Sequence, residues 1–213
     1  MTRVCLAPHL SVQEGGDDQD GALEVQALIA ATWSVTARAG SMEPSVREIL
    51  DHAGLSTKAF YRHFRSKDEL LIRAFDEGTH LLVEYLEHRM NHKDPLSNVG
   101  EWIEGFVRQA TPPVARRSLP WSIGIGRIAM LFPDEYARHQ TEIVAPLERE
   151  IAHAVARGEA ESPDPGADAW LIYGYCVHTV CRHLIHGTAP DRATAVHLVT
   201  FAHRALGRSP ASG

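Results

Sequence analysis

Hydrophobic positions recur along this chain at intervals of three and four, from Ala22 to Leu206, and almost nowhere do they alternate. That spacing predicts amphipathic helices, whereas strands would need alternating β-branched residues between hairpin turns. An all-α protein of about nine helices is therefore expected. The first helix should cover residues 22–39, with Val25, Leu28, Ile29 and Val35 on one stripe and Gly40 as its stop. The second opens at Ser45-Val46-Arg47-Glu48, where the serine hydroxyl caps the helix and the glutamate reaches back to the serine amide. It ends at Gly54, and the turn Gly54-Leu55-Ser56 leads into a short third helix over 57–64. A second capping box, Ser66 with Glu69, opens a fourth helix that reads to residue 89.

Further along, the pattern divides at prolines and glycines. A helix after Lys93-Asp94-Pro95 carries Val99, Trp102, Ile103, Phe106 and Val107. Residues 111–120 read as a break. The segment 121–132 is apolar on nearly all sides and is expected to be buried. Pro133 restarts a long amphipathic helix to about residue 156, in which Pro146 predicts a kink. Final helices are expected over 167–186 and 192–206. Residues 1–21, acidic and glycine-rich without an apolar period, read as a disordered leader. The expected division is a leader of 1–21, a small unit of 22–66 and a larger one of 67–213.

Composition narrows the setting. At 44% hydrophobic and 23% charged, the chain is ordinary for a soluble globular protein. It has no apolar run of the roughly 18 residues that a spanning helix needs, and no basic-then-apolar leader. A cytoplasmic protein with no membrane partner is expected. Cys5, Cys176 and Cys181 have no C-x-x-C spacing and are read as reduced thiols acting as small hydrophobes. The formal net charge of -6 argues against wholesale nucleic-acid binding but leaves room for a local basic patch.

Such a patch is present. From Ser56 to Lys67 the cations Lys58, Arg62, Arg65 and Lys67 interleave with Phe60, Tyr61 and Phe64, and no carboxylate intervenes. On a helical wheel with Phe60 pointing inward, Phe64 and Thr57 share its side. Lys58, Arg62 and Arg65 fall on the far side, with Tyr61 on the flank. Two short helices around a glycine turn, the second with an outward cationic strip, make a helix-turn-helix pattern whose second helix fits a DNA major groove.

The stretch PSVREILDHAGLSTKAFYRHFRSKDELLIRAF resembles the DNA-binding region of the tetracycline-repressor (TetR) family of bacterial transcription regulators. The likeness spans about residues 22–74 and rests on the S-V-R-E helix start, the A-G-L-S turn, the Y-R-H-F helix end and the S-K-D-E-L-L opening. The segment 127–160 is more weakly similar to the middle of the family's ligand domains. The resemblance implies a dimeric repressor that leaves a palindromic double-stranded DNA operator when a small molecule binds. By position, Ser45 and Arg47 would touch phosphate. Ser56, Thr57, Lys58 and Ala59 would lead the recognition helix, where lysine suits guanine and alanine the thymine methyl. Tyr61 and His63 resemble the family's phosphate-contacting pair, His63 on the resemblance alone. Arg62 is outward and fits either role, and Lys67 would grip the same backbone. The acidic leader departs from the basic arm of many relatives. Leu50 stands where a small alanine is usual.

For the larger unit the resemblance implies an effector-binding domain whose last two helices pair with a second subunit, a homodimer. Two stripes fit that pairing or simply close the monomer core: Trp170, Tyr173, Gly174, Val177, Cys181 and Leu184, then Ala195, Leu198, Val199, Ala202, Ala205 and Leu206. Trp102, Phe106, Trp121, Ile125, Tyr173 and Val177 are pocket walls or core. Arg127 either anchors an acidic ligand group or pairs with a glutamate. Few polar groups occupy these positions, which favours an apolar effector. His178, Cys181, His183 and His186 invite a metal, but His178 and His183 diverge around the helix, so no metal or cofactor is expected. G-x-S-x-G, H-E-x-x-H and phosphate-loop patterns are absent, and no enzyme is expected. The rival reading is an architectural or division-type DNA-binding protein without a small-molecule effector.

Overall fold

The structure, a computed structural model, describes residues 16–207. Among these it contains nine α-helices, one short 3-10 helix and no strand. The helices are α1 Gly16–Ala39, α2 Val46–Ala53, α3 Thr57–His63, α4 Lys67–Arg89, α5 Pro95–Val107, α6 Val114–Leu131, α7 Pro133–Ala156, α8 Pro165–Ile185 and α9 Arg192–Ala205, with Arg108–Ala110 the 3-10 turn. Cys5 and most of the expected leader lie outside the described residues. Its last part, from Gly16, is the beginning of α1 instead.

Serines set the front of the molecule. Ser45 and Glu48 form the reciprocal capping box, with the Ser45 amide donating to the Glu48 carboxylate at 2.8 Å. Ser56 accepts the Ala59 amide at 3.2 Å and Ser66 the Glu69 amide at 3.1 Å. Gly54, at φ 67, makes the left-handed turn between α2 and α3 that any side chain would strain. These contacts satisfy helix-end amides that would otherwise need water.

Two apolar cores follow. The front core joins Leu28 and Ile29 of α1, Ile49 and Leu50 of α2, Phe60 of α3, Phe64 after it, and Leu70, Leu71 and Ala74 of α4. The back core gathers Leu86, Trp102, Ile103, Phe106, Leu147, Ile151, Tyr173 and Leu198. Helix α4 therefore belongs to both. Its Gly78 lets Trp33 of α1 lie against it, since a Cβ there would come 2.5 Å from the Trp33 ring.

Two expectations are corrected. The break over 111–120 shrinks, because α6 begins at Val114 and runs through Pro120. That proline forfeits one helix hydrogen bond, and burial of Pro120 and Trp121 carries the helix across it. The segment after it is buried on one face only: Trp121 and Ile128 point inward while Ile123, Met130 and Leu131 are exposed. Of the stripes that fit either pairing or the monomer core, Tyr173, Leu184, Leu198, Ala202 and Leu206 lie in the core, whereas Trp170, Gly174 and Ala205 are exposed. Cys176 is buried in that core, which pushes its thiol up to about 12, and Cys181 is half-buried.

Candidate nucleic-acid interface

Helix α3 is held by its apolar side and free on the other. Phe60 is fully buried, Phe64 nearly so, and their rings lie 5.9 Å apart, with Tyr61 edge-on to Phe60. Thr57 at the helix start, Lys58 on the far side and Arg65 just past the helix end are exposed, and Tyr61 is 63% exposed. Lys58 takes part in no ion pair among the described residues. Ser45 and Arg47 stand exposed at the α2 start, where Arg47 has only a loose partner, Asp51 at 3.8 Å. Ser56 is exposed as the α3 cap, and Lys67 faces Glu43 at 3.8 Å. The outward groups so far are donors suited to phosphate and base edges.

Two of the sequence-expected contacts do not reach that surface. Ala59 is only 4% exposed, one helical step from Phe60, so its methyl packs inward and cannot meet a thymine. His63 turns toward α1, where its Nε2 lies 2.7 Å from the Glu24 carboxylate. Arg62 donates to the same carboxylate at 3.1 Å. Glu24 escaped sequence reasoning because it is a whole helix pair away in the chain. The acidic run before it was the only available signal.

The seven pocket candidates separate. In the back core Trp102 stacks on Phe106, with ring centroids 5.1 Å apart, Tyr173 meets Phe106 edge-on at 5.5 Å, and Val177 packs against the same core. Burial pushes the Tyr173 hydroxyl up to about 12, against an opposing hydrogen bond with Gln140. Trp121 is elsewhere, between Trp33 at 4.3 Å and Phe75 at 6.2 Å, its indole N–H donating to Thr36 of α1 at 3.2 Å. Ile125 is half-buried on the same helix. Arg127 pairs with carboxylates, as one of its two readings held: Glu43 at 3.2 Å and Asp68 at 3.0 Å, which ties α6 to the front helices. An open cleft of about 520 Å³ between α4, α5 and α7 is lined by His92, Lys93, Asn98, Glu150 and Arg157, among others, and by none of the seven.

Helix α4 is also tied to α7. Asp76 accepts from Arg73 at 2.6 Å, from Arg138 at 2.9 Å and from His139 Nε2 at 2.8 Å. Burial raises the Asp76 carboxyl, but the hydrogen bonds from Arg138 and His139 and the nearby charges outweigh it and hold the group at about 2. His139 itself is buried, its ring 4.9 Å from Phe75.

A capped short helix with an outward cationic face, packed on a two-helix support and joined to a helical back unit, has the form of a helix-turn-helix. Residues 28–74 match the family model for bacterial regulatory proteins, tetR family. No curated protein matches the chain. Among solved structures, a TetR transcription regulator from Haloarcula marismortui shares 17% identity, with 87% of this chain and 98% of that one covered at a TM-score of 0.74. A putative TetR-family regulator from Rhodococcus sp. shares 21%, covering 87% and 99%, at 0.72. The regulator FadR from Bacillus subtilis, in complex with stearoyl-CoA, shares 17%, covering 85% and 96%, at 0.70. The resemblance drawn from the sequence therefore stands: residues 28–74 are the tetR-family region, and the chain has the fold of those transcription regulators. Among the described residues, no helix is long and apolar enough to cross a membrane.

Proposed function

We propose that the protein is a dimeric, non-enzymatic, cytoplasmic transcriptional repressor that leaves a palindromic operator when a small, largely apolar ligand binds. The observation that carries the reading is the outward face of α3, where exposed Lys58 and Tyr61 flank a helix anchored by Phe60. In this reading residues 22–66 hold the DNA and 67–213 the ligand and the partner subunit. Lys58 and Thr57 read bases, while Ser45, Arg47, Tyr61 and Lys67 hold phosphates.

Pairing is supported by an apolar face on the last two helices, different from the one expected. Leu171, Tyr175 and Ile185 of α8 and Phe201 of α9 are about half exposed or more, and Tyr175 stacks on Phe201 at 5.1 Å. A two-fold axis through that face would set two α3 helices on one side of a duplex, matching an inverted repeat. A ligand in the back core would act through α4, which carries the front core at one end and the Asp76 ties to α7 in its middle. The neighbour bound to stearoyl-CoA supports an apolar ligand. The close packing of Trp102, Phe106 and Tyr173 favours a second reading, an architectural DNA-binding protein with no effector.

Selection of genomic fragments bound by the purified protein tests the reading. Enrichment of an inverted repeat is expected, with release by long-chain acyl compounds. Fragments enriched without symmetry would overturn the dimeric operator, and indifference to every apolar ligand would favour the architectural protein.

A further inference from the structure

The recognition helix carries more positive charge than it presents. Arg62 is 54% exposed in its side chain and lies on the outward side of α3, yet both oxygens of Glu24 are within 3.3 Å of one of its guanidinium nitrogens. A carboxylate pairing with a surface arginine is ordinarily weak and easily exchanged for a phosphate. This one is different because it is fixed in place. Glu24 is only 22% exposed, and its Oε2 is also bonded at 2.7 Å to His63, whose side chain is 15% exposed.

Helix α1 brings that carboxylate to the edge of the DNA-facing surface. Its early turns run past the end of α3, and a Cβ at Gly21 would meet the His63 ring at 3.5 Å. The helix also continues back to Gly16 through Asp17, Asp18 and Asp20, so the added turns are acidic. His63 acts as the peg that holds Glu24, and Glu24 holds Arg62. An arginine so paired before DNA arrives releases no counterion of its own when a phosphate approaches, and the carboxylate repels that phosphate.

We propose that Glu24 is a specificity-determining residue of the DNA interface, withholding Arg62 and His63 from the phosphate backbone so that sequence-independent affinity stays low and Lys58 decides binding. The inference rests on the DNA-binding reading above. It assigns the α1 carboxylate a task that the exposed face of α3 alone does not reveal: suppressing attachment to arbitrary DNA, where most affinity comes from phosphate neutralisation.

The test uses the full chain and a mixed-sequence duplex of about 30 base pairs, with dissociation constants measured by anisotropy from low to moderate salt. Glu24→Gln keeps the side-chain volume and a hydrogen-bond acceptor for His63 but removes the charge. It should bind the mixed duplex several-fold more tightly, with the slope of log K against log salt steeper by about 0.9 for each protomer in contact. Adding Arg62→Gln to that variant should remove most of the gain. Unchanged affinity and slope in Glu24→Gln, with an unaltered Tm, would overturn the proposal. So would a gain that survives the second substitution, since Arg62 would then not be the withheld group. Weaker binding together with a lowered Tm would make Glu24 a support of the fold only, which also overturns it. If the wild-type chain fails to bind any duplex at low salt, the DNA-binding reading falls, and the inference with it.

Discussion

Helices α2, α3 and α4 each begin on a serine whose hydroxyl takes a backbone amide within the next turn. Helices α6 and α7 begin on Pro113 and Phe132 with no side-chain cap at all. The front helices and the α6–α7 pair are fixed by different means. In the front, contacts three residues apart place each helix end, and a small core needs only to seat Phe60 and Phe64. In the back, α5, α8 and α9 are capped by Asp94, Asp164 and Asp191, but α6 and α7 take their position from distant partners: Trp121 against Trp33 and Thr36, Arg127 against Glu43 and Asp68, and His139 and Arg138 against Asp76. A front unit whose geometry is set locally is thus gripped from the back through long-range ties.

That contrast can be broken at several points. The largest effect is expected at Trp121, buried between two aromatic rings at the junction. Trp121→Ala should cost about 3–5 kcal/mol in urea unfolding, as large-to-small changes in cores do. A loss below 1 kcal/mol would mean that α6 does not depend on this tertiary contact.

Asp76 comes next and adds a pH signature. Its carboxyl is at about 2 in the fold against an ordinary 3.8, so its folded-state value is depressed. Stability from this group is complete above pH 4 and is lost as pH falls through 2. The shift corresponds to about 2 kcal/mol. Asp76→Asn should therefore be less stable than the wild type by at least that order near neutrality, with the gap narrowing on acidification below pH 4. A gap that does not change with pH would contradict an ionised Asp76 as the tie between α4 and α7.

A local cap should matter less. Ser66→Ala removes the hydroxyl that accepts the Glu69 amide and is expected to lower stability by about 1 kcal/mol. Arg127→Gln should matter least to stability, below about 1 kcal/mol, because its pairs with Glu43 and Asp68 are partly exposed. If Arg127→Gln costs more than Trp121→Ala, the junction is held by charge rather than by packing.

How much could be read in advance follows the same division. The Ser45–Glu48 box, the Ser66 cap and the Gly54 turn are written in consecutive residues, so the front helices and the outward placement of Lys58 were legible, although the Glu69 carboxylate takes the Arg65 amide at 2.6 Å rather than closing a second box on Ser66. The inward turn of His63 was legible too, since it lies about 60° from Phe60 on the wheel, but the family pattern outweighed it; that of Ala59, about 100° away, was not. Pro120 inside α6 was not, because only tertiary burial lets a helix continue through proline. An all-round apolar segment likewise says nothing of which side faces the core, and Ile123 and Met130 proved to be exposed. The pairing of Glu24 with Arg62 and His63 joins helices separated by a whole turn and a further helix. Nothing within either segment announces it.

The central claim is that the exposed face of α3 reads DNA, and Lys58 tests it most directly. Binding of wild-type, Lys58→Ala and Lys67→Ala chains should be measured across a library of duplexes built around the selected operator, each base pair varied in turn. Lys58→Ala should weaken binding and flatten the preference at one or two positions per half-site, each by about 1–3 kcal/mol. Lys67→Ala should weaken every sequence alike. Preference and affinity left intact by Lys58→Ala would contradict the assignment of α3 as the recognition helix.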